Sequence, residues 1–307
     1  MAASSDPQLE LSPALLKQRI EAFVTVFLEG KSPETIGTYR RSLNEFERWF
    51  AQRKRPFGFR KKDVVAYRNY LTDERGLSPA SVSTYLTALR RLCAYLVSTG
   101  ELAENPAIGV KGNARPAGHS REALTEAEIE RLFEVVEGDA LIALRDRALM
   151  ALMIYAGLSE IELVRADCGD LDQTLLGLFL NVQGKGHTAK DQQVLLDAAA
   201  AEAIQAYLSA RPPRKPEDPL FVSHGHRSEG ARLNTRSVRG RINLHLKAAD
   251  LKRPGISPHS LTHTAALIWL NGGMTIEQVR ERMRHGSLET TMISFRKKGQ
   301  PTARDGA

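Results

Sequence analysis

A chain of 307 residues with 42% hydrophobic and 26% charged residues is long enough for two ordinary domains and too rich in core residues to be disordered. No apolar run reaches the roughly 18 residues that a membrane-spanning helix needs. The first ten residues, MAASSDPQLE, have neither a basic flank nor an apolar core, so the expectation is a cytoplasmic protein with no membrane partner. The net charge of +7 is unevenly spread: residues 1–115 hold 18 Lys and Arg against 12 Asp and Glu, and the remainder 25 against 24. A polyanion is the partner such an excess suits, and the N-terminal part is where it would bind.

The first elements are helices over 13–30, 32–50, 61–75 and 78–96, which make a compact four-helix unit. Two of them echo one another, SPETIGTYRRSLNEFERWF at 32–50 and SPASVSTYLTALRRLCAYL at 78–96. Each opens on Ser-Pro, an N-cap followed by a proline at the first helical position, where its missing N–H costs nothing. Each then sets apolar residues at helical spacing and keeps hydroxyls and cations on the other face, Thr35, Thr38, Arg40 and Arg41 in one, Ser83, Thr84, Arg90 and Arg91 in the other. Between the pair, RKRPFGFRKK carries Arg53, Lys54, Arg55, Arg60, Lys61 and Lys62 with two phenylalanines among them. Such a run fits phosphate oxygens, and it fits an ordinary solvated loop equally well.

Residues 104–123, rich in Gly, Pro and small residues, read as a linker between a domain at 1–103 and a second at 124–307. The second domain opens on a capping box, Thr125 with Glu128, and continues with an apolar helix over 145–158 that ends at Gly157. Strands follow at 176–182 and 192–196, with a third expected near 166–171, and helices return at 197–210, 234–250, 260–271, 276–284 and 288–297. Cys93 and Cys168 sit inside apolar patterns and read as small buried hydrophobes. His259 and His263 stand four apart, but no glutamate completes a His-Glu-x-x-His site, so neither metal nor cofactor is expected.

This order of elements, with SPHSLTHT at 257–264, RHGSLETTMIS at 284–294, IYAGLSEIELVRADCGDL at 154–171 and GKGHTAKDQQVLL at 184–196, resembles the tyrosine recombinase or phage integrase family over about residues 13–297. The resemblance implies a mainly α fold with a small β-hairpin or three-stranded sheet. An N-terminal four-helix, SAM-like core-binding domain would precede a C-terminal domain of the catalytic type. It also implies chemistry on duplex DNA, in which a tyrosine attacks a phosphodiester, two arginines hold the charge of the phosphorane, and lysine and histidines manage protons.

Carried onto this chain, the resemblance places the family's lysine on Lys185 and two of its histidines on His259 and His285. Its two arginines fall on Ser159 and Thr262, its tyrosine on Ser294, and a glycine on Arg284. Arg165, Arg280, Arg282 and Arg284 are near in sequence and read as surface helix charges. The expectation is a DNA-binding protein of recombinase fold, from a mobile element, that cannot cleave strands. It would act as an accessory or architectural partner beside an active recombinase or other protomers, clamping DNA between its domains. Two rivals stay open: an active recombinase with an unconventional site, and a protein-interaction module that no longer binds DNA.

Overall fold

The computed structural model describes residues 11–53, 57–112, 122–136, 138, 140–184, 187, 189–225 and 228–286. The expected helix at 288–297, residues 113–121 of the expected linker, and Lys54, Arg55, Lys185 and Ser294 lie outside them. The chain divides into two compact units, Met1–Ala117 and Gly118–Ala307.

The first unit is built from α1 (Pro13–Ala22), α2 (Pro33–Ala51), α3 (Lys61–Asn69) and α4 (Pro79–Ser98). α1 and α3 are each prolonged by a π-helical turn, Phe23–Phe27 and Tyr70–Glu74. The echo between α2 and α4 extends to atoms: Ser32 Oγ accepts from the Thr35 N–H at 3.3 Å, and Ser78 Oγ accepts from the Ser81 N–H at 3.3 Å. In both helices the cap hydroxyl also meets the hydroxyl three residues on, at 3.1 Å and 3.0 Å. A third Ser-Pro start, Ser12-Pro13, caps α1 in the same way, with Leu15 N–H at 3.2 Å.

Leu43, Phe46, Val64, Tyr67, Leu71, Leu89 and Leu92 are fully withdrawn from water and form the centre of this unit. Phe57 and Phe59, the two phenylalanines of the basic run, turn inward. Phe57 meets Phe46 edge-on at 5.3 Å and Phe59 at 4.7 Å. Burial of those rings anchors residues 57–59 of the run, while Arg60, Lys61 and Lys62 stay exposed. Cys93 lies in the same core, where burial pushes its thiol up to about 12.

The second unit comprises α5 (Glu126–Glu134), α6 (Leu141–Tyr155), α7 (Glu160–Arg165), a sheet of β1 (Leu171–Thr174), β2 (Gly177–Val182) and β3 (Gln192–Leu195), then α8 (Ala198–Ala210), α9 (Thr235–Ala248), α10 (Pro258–Asn271) and α11 (Ile276–Arg282). The expected capping box forms at α5: Glu128 N–H donates to Thr125 Oγ1 at 3.3 Å, and Thr125 N–H to Glu128 Oε2 at 2.9 Å. The sheet is antiparallel in the order β1-β2-β3, and Leu178, Leu180 and Val182 alternate inward from β2. The third strand lies at Leu171–Thr174 and not at 166–171, because Asp170 accepts from the Asp167 N–H at 2.6 Å and winds Cys168–Asp170 into a 3₁₀ turn first. α6 starts four residues earlier than expected and stops at Tyr155, two residues short of Gly157, which takes φ +63°.

Candidate functional site

The turn from α6 into α7 is the place to start, because four elements converge on it. Ser159 is the N-cap of α7, and both of its donors go to Glu162: its N–H and its hydroxyl reach Glu162 Oε2 at 2.7 Å. Glu162 is 5% exposed, so its charge needs more than hydroxyls around it. It is met by Arg284, whose Nε donates to Glu162 Oε1 at 2.6 Å and whose Nη2 reaches Oε2 at 3.2 Å.

The same guanidinium donates from Nη2 to the Gly157 carbonyl at 3.0 Å and from Nη1 to the Arg282 carbonyl at 2.7 Å. Its side chain is 7% exposed. Arg284 is therefore an interior strut, which corrects its reading as a surface helix charge. Arg280 and Arg282 are half-buried: Arg282 stacks over the Trp269 ring at 4.3 Å, and Arg280 reaches Glu281 at 3.5 Å.

The backbone explains how an arginine arrives there. α11 ends in a Schellman motif, with the His285 N–H donating to the Arg280 carbonyl at 3.0 Å and the Arg284 N–H to the Glu281 carbonyl at 2.9 Å. That motif puts residue 284 in the left-handed region, and its φ is +56°. Glycine is the residue such a position favours, and here a long side chain occupies it and turns back under α7.

α10 supplies the other side. Its proline, Pro258, is at the helix start, so the helix begins two residues earlier than expected. Thr262 is 5% exposed and its hydroxyl donates to the Leu158 carbonyl at 3.4 Å, next to Ser159. Ser159, Thr262 and Arg284 are thus gathered around residues 157–162, whereas His259 is exposed and His285 half-buried. Thr264 anchors the helix by accepting the Leu124 N–H at 2.9 Å and donating to the Ser260 carbonyl at 2.8 Å. Around α7, Arg239 of α9 clasps Glu160 at 2.8 Å, and this pairing raises the arginine's pKa.

Near the β2–β3 turn, the described residues are tied down. Lys190 is paired with Asp167 at 2.5 Å and with Asp170. Burial disfavours the charge of Asp167, but the hydrogen bonds from Lys190 and Arg232 outweigh it and hold its carboxyl below the usual range.

On the first unit, Arg41, Arg60, Lys61, Lys62, Arg91, Thr38 and Thr84 are exposed, and Thr35 and Ser83 are half-buried. A groove of about 190 Å³ between α2 and α4 is lined by Thr38, Tyr39, Ser42, Ser83, Thr84 and Thr87, so the two echoed hydroxyl faces share one depression. Three cations assigned to that face or to the basic run have internal partners. Arg40 pairs with Glu21 at 2.9 Å, Arg53 lies over Trp49 at 4.5 Å, and Arg90 donates to the carbonyls of Ala107 and Val110.

Residues 122–298 match the phage integrase family, and residues 15–99 match its N-terminal SAM-like domain. The chain belongs to the phage integrase family. It is 32% identical to the tyrosine recombinase XerC of Neisseria meningitidis serogroup C over 274 residues, covering 86% of each chain. Its identity to XerC of Myxococcus xanthus is 30% over 269 residues, and to XerD of Listeria monocytogenes 28% over 272. Among solved structures, the Tn1549 transposon integrase in complex with transposon right end DNA superposes with a TM-score of 0.72 at 15% identity, covering 92% of this chain and 95% of that one. The XerH recombinase in its post-cleavage complex superposes at 0.69 with 20% identity, covering 92% and 80%. The integrase fold, mostly helical with a three-stranded antiparallel sheet, is as the family resemblance implied.

Proposed function

We propose that this phage integrase family protein binds duplex DNA but does not cut and rejoin it, and serves recombination as an accessory or architectural partner. The observation that carries the reading is the state of the charge-holding positions. Where the family resemblance puts arginines, the chain has the hydroxyls of Ser159 and Thr262, turned onto Glu162 and the Leu158 carbonyl. The guanidinium that does lie there, Arg284, is consumed by Glu162 and two backbone carbonyls. A phosphorane needs preorganised donors aimed at it, and loss of one such donor typically slows a reaction by on the order of 100- to 1000-fold. With two absent and Ser294 in the tyrosine's place, strand cleavage has neither clamp nor nucleophile.

Support for DNA binding comes from the basic first unit and from relatives solved on DNA, among them XerH on difH and lambda integrase on a COC′ core site. The exposed cations around α3 and α4 with the hydroxyl-lined α2–α4 groove form the face to test. Titrating the chain with duplex across a salt series should give a log–log slope near −0.9 per phosphate contacted. A nicked suicide duplex treated with the same chain should yield no SDS-resistant adduct. An adduct would mean an active recombinase with another nucleophile, and no binding at low salt would mean a protein-interaction module.

A further inference from the structure

The pairing of Arg284 with Glu162 has a reciprocal in the sequence, since the chain holds a serine where the family resemblance puts an arginine and an arginine where it puts a glycine. We propose that Arg284 is a relocated guanidinium: it takes over, from the end of α11, the partnership with Glu162 that an arginine at position 159 would have held, and so occupies the site from within. The inference rests on the reading of Ser159 and Arg284 as the family's arginine and glycine positions.

Three observations carry it. Glu162 is 5% exposed, and burying a carboxylate so deeply is costly unless a cation pairs with it. The Arg284 guanidinium reaches it by way of a left-handed backbone, φ +56°, that an arginine adopts only at a conformational cost. Strain of that kind persists where surrounding contacts over-determine it, and Arg284 makes four hydrogen bonds that do so. Ser159 completes the exchange. An arginine there would bring a second cation to a carboxylate already engaged, whereas serine caps α7 and donates its hydroxyl to Oε2 at 2.7 Å.

The consequence for the site is directional. A guanidinium on the α7 N-cap would extend from the turn that faces Thr262, while Arg284 spends Nε, Nη1 and Nη2 on Glu162, Gly157 and Arg282. Its charge is neutralised internally and is not offered to a phosphate. Placing arginine back at 159 with Arg284 still present would crowd two guanidiniums on one carboxylate.

The test is a five-protein comparison on the full chain: the unmodified protein, R284G, R284K, S159R and S159R/R284G, each melted without DNA. R284G is expected to lower Tm by about 5–10 °C although glycine suits φ +56°, because it strands Glu162. S159R should also lower it. The double variant should recover most of both losses, and R284K, which cannot fork onto the carboxylate, should fall between R284G and the unmodified chain. If R284G is too unstable to purify, the same comparison is read as folded soluble yield, which the double variant should restore. Additive losses in the double variant, or an R284G protein as stable as the parent, would overturn the relocation. Because no DNA or turnover enters, failure here is separate from any failure of the strand-cleavage reading.

Discussion

The backbone of Gly157 lies so close under the indole of Trp269 that a Cβ added at 157 would stand 2.6 Å from Cη2 and 3.0 Å from the Met283 sulfur. This contact is where α10 and the α11 terminus close over the turn that carries Ser159. Gly157 also has φ +63°, so a side chain meets two obstacles at once. Gly157→Ala should destabilise the chain by about 2–5 kcal/mol, from left-handed strain of ~1–2 and overpacking of ~1–3. Chemical denaturation of the variant checks this. A loss under 0.5 kcal/mol would mean that the ring moves aside freely.

Asp146 of α6 is fully buried, and Arg145, Arg241 and His245 all reach it, at 2.7, 2.7 and 2.8 Å. Burial disfavours its charge, yet these donors prevail and hold its carboxyl below the usual range. For a depressed carboxylate, the stabilisation is present above the unfolded pKa, near 3.9, and is lost as pH falls through the folded value. Tm should therefore hold from neutral pH to about 4 and drop below it. Asp146→Asn should cost about 3–5 kcal/mol at pH 7, since it leaves arginines unpaired, and should flatten the acid limb. An unchanged acid limb in the variant would assign the acid loss to other carboxylates.

Arg90 and Arg91 are adjacent in α4 and should behave oppositely. Arg90 holds the Ala107 and Val110 carbonyls at 3.2 and 3.0 Å, while Arg91 is exposed. Arg90→Ala should lower stability by about 1–3 kcal/mol, leaving the salt dependence of DNA binding little changed. Arg91→Ala combined with Lys61→Ala and Lys62→Ala should leave stability within about 0.5 kcal/mol, and should reduce the salt slope by close to one per phosphate contact removed. Equal slopes for the triple variant and the parent would take these cations off the DNA face.

Local chemistry was what the sequence made legible. Ser32, Ser78 and Thr125 cap helices as their spacing required, because a cap is decided within four residues. What escaped was decided over long separations. Arg284 is joined to Glu162 across 122 residues and Arg239 to Glu160 across 79, and neither partner can be chosen from a local pattern. The signal available was indirect: an arginine at a helix terminus where glycine suits the backbone, in a chain that also lacks an arginine elsewhere. The basic run was misleading in one respect, since periodicity does not show that Phe57 turns into an aromatic core and that Arg53 packs on Trp49 behind it.

Thr262 and Thr264 lie two residues apart on α10, are both buried, and carry different duties. Thr264 accepts the Leu124 N–H at 2.9 Å and donates to the Ser260 carbonyl at 2.8 Å. Thr264→Val keeps the volume but strands a buried N–H, which should cost about 1–3 kcal/mol. The bond from Thr262 to the Leu158 carbonyl is long, 3.4 Å, so Thr262→Val should cost less than about 1 kcal/mol. If Thr262 is a position released from chemistry, as the proposed function holds, the valine variant should also bind duplex DNA with unchanged affinity and salt slope. Urea denaturation of both variants beside a gel-shift of the Thr262 variant decides the matter. A loss of DNA affinity at unchanged stability would place the Thr262 hydroxyl on a phosphate, and would return that position to function.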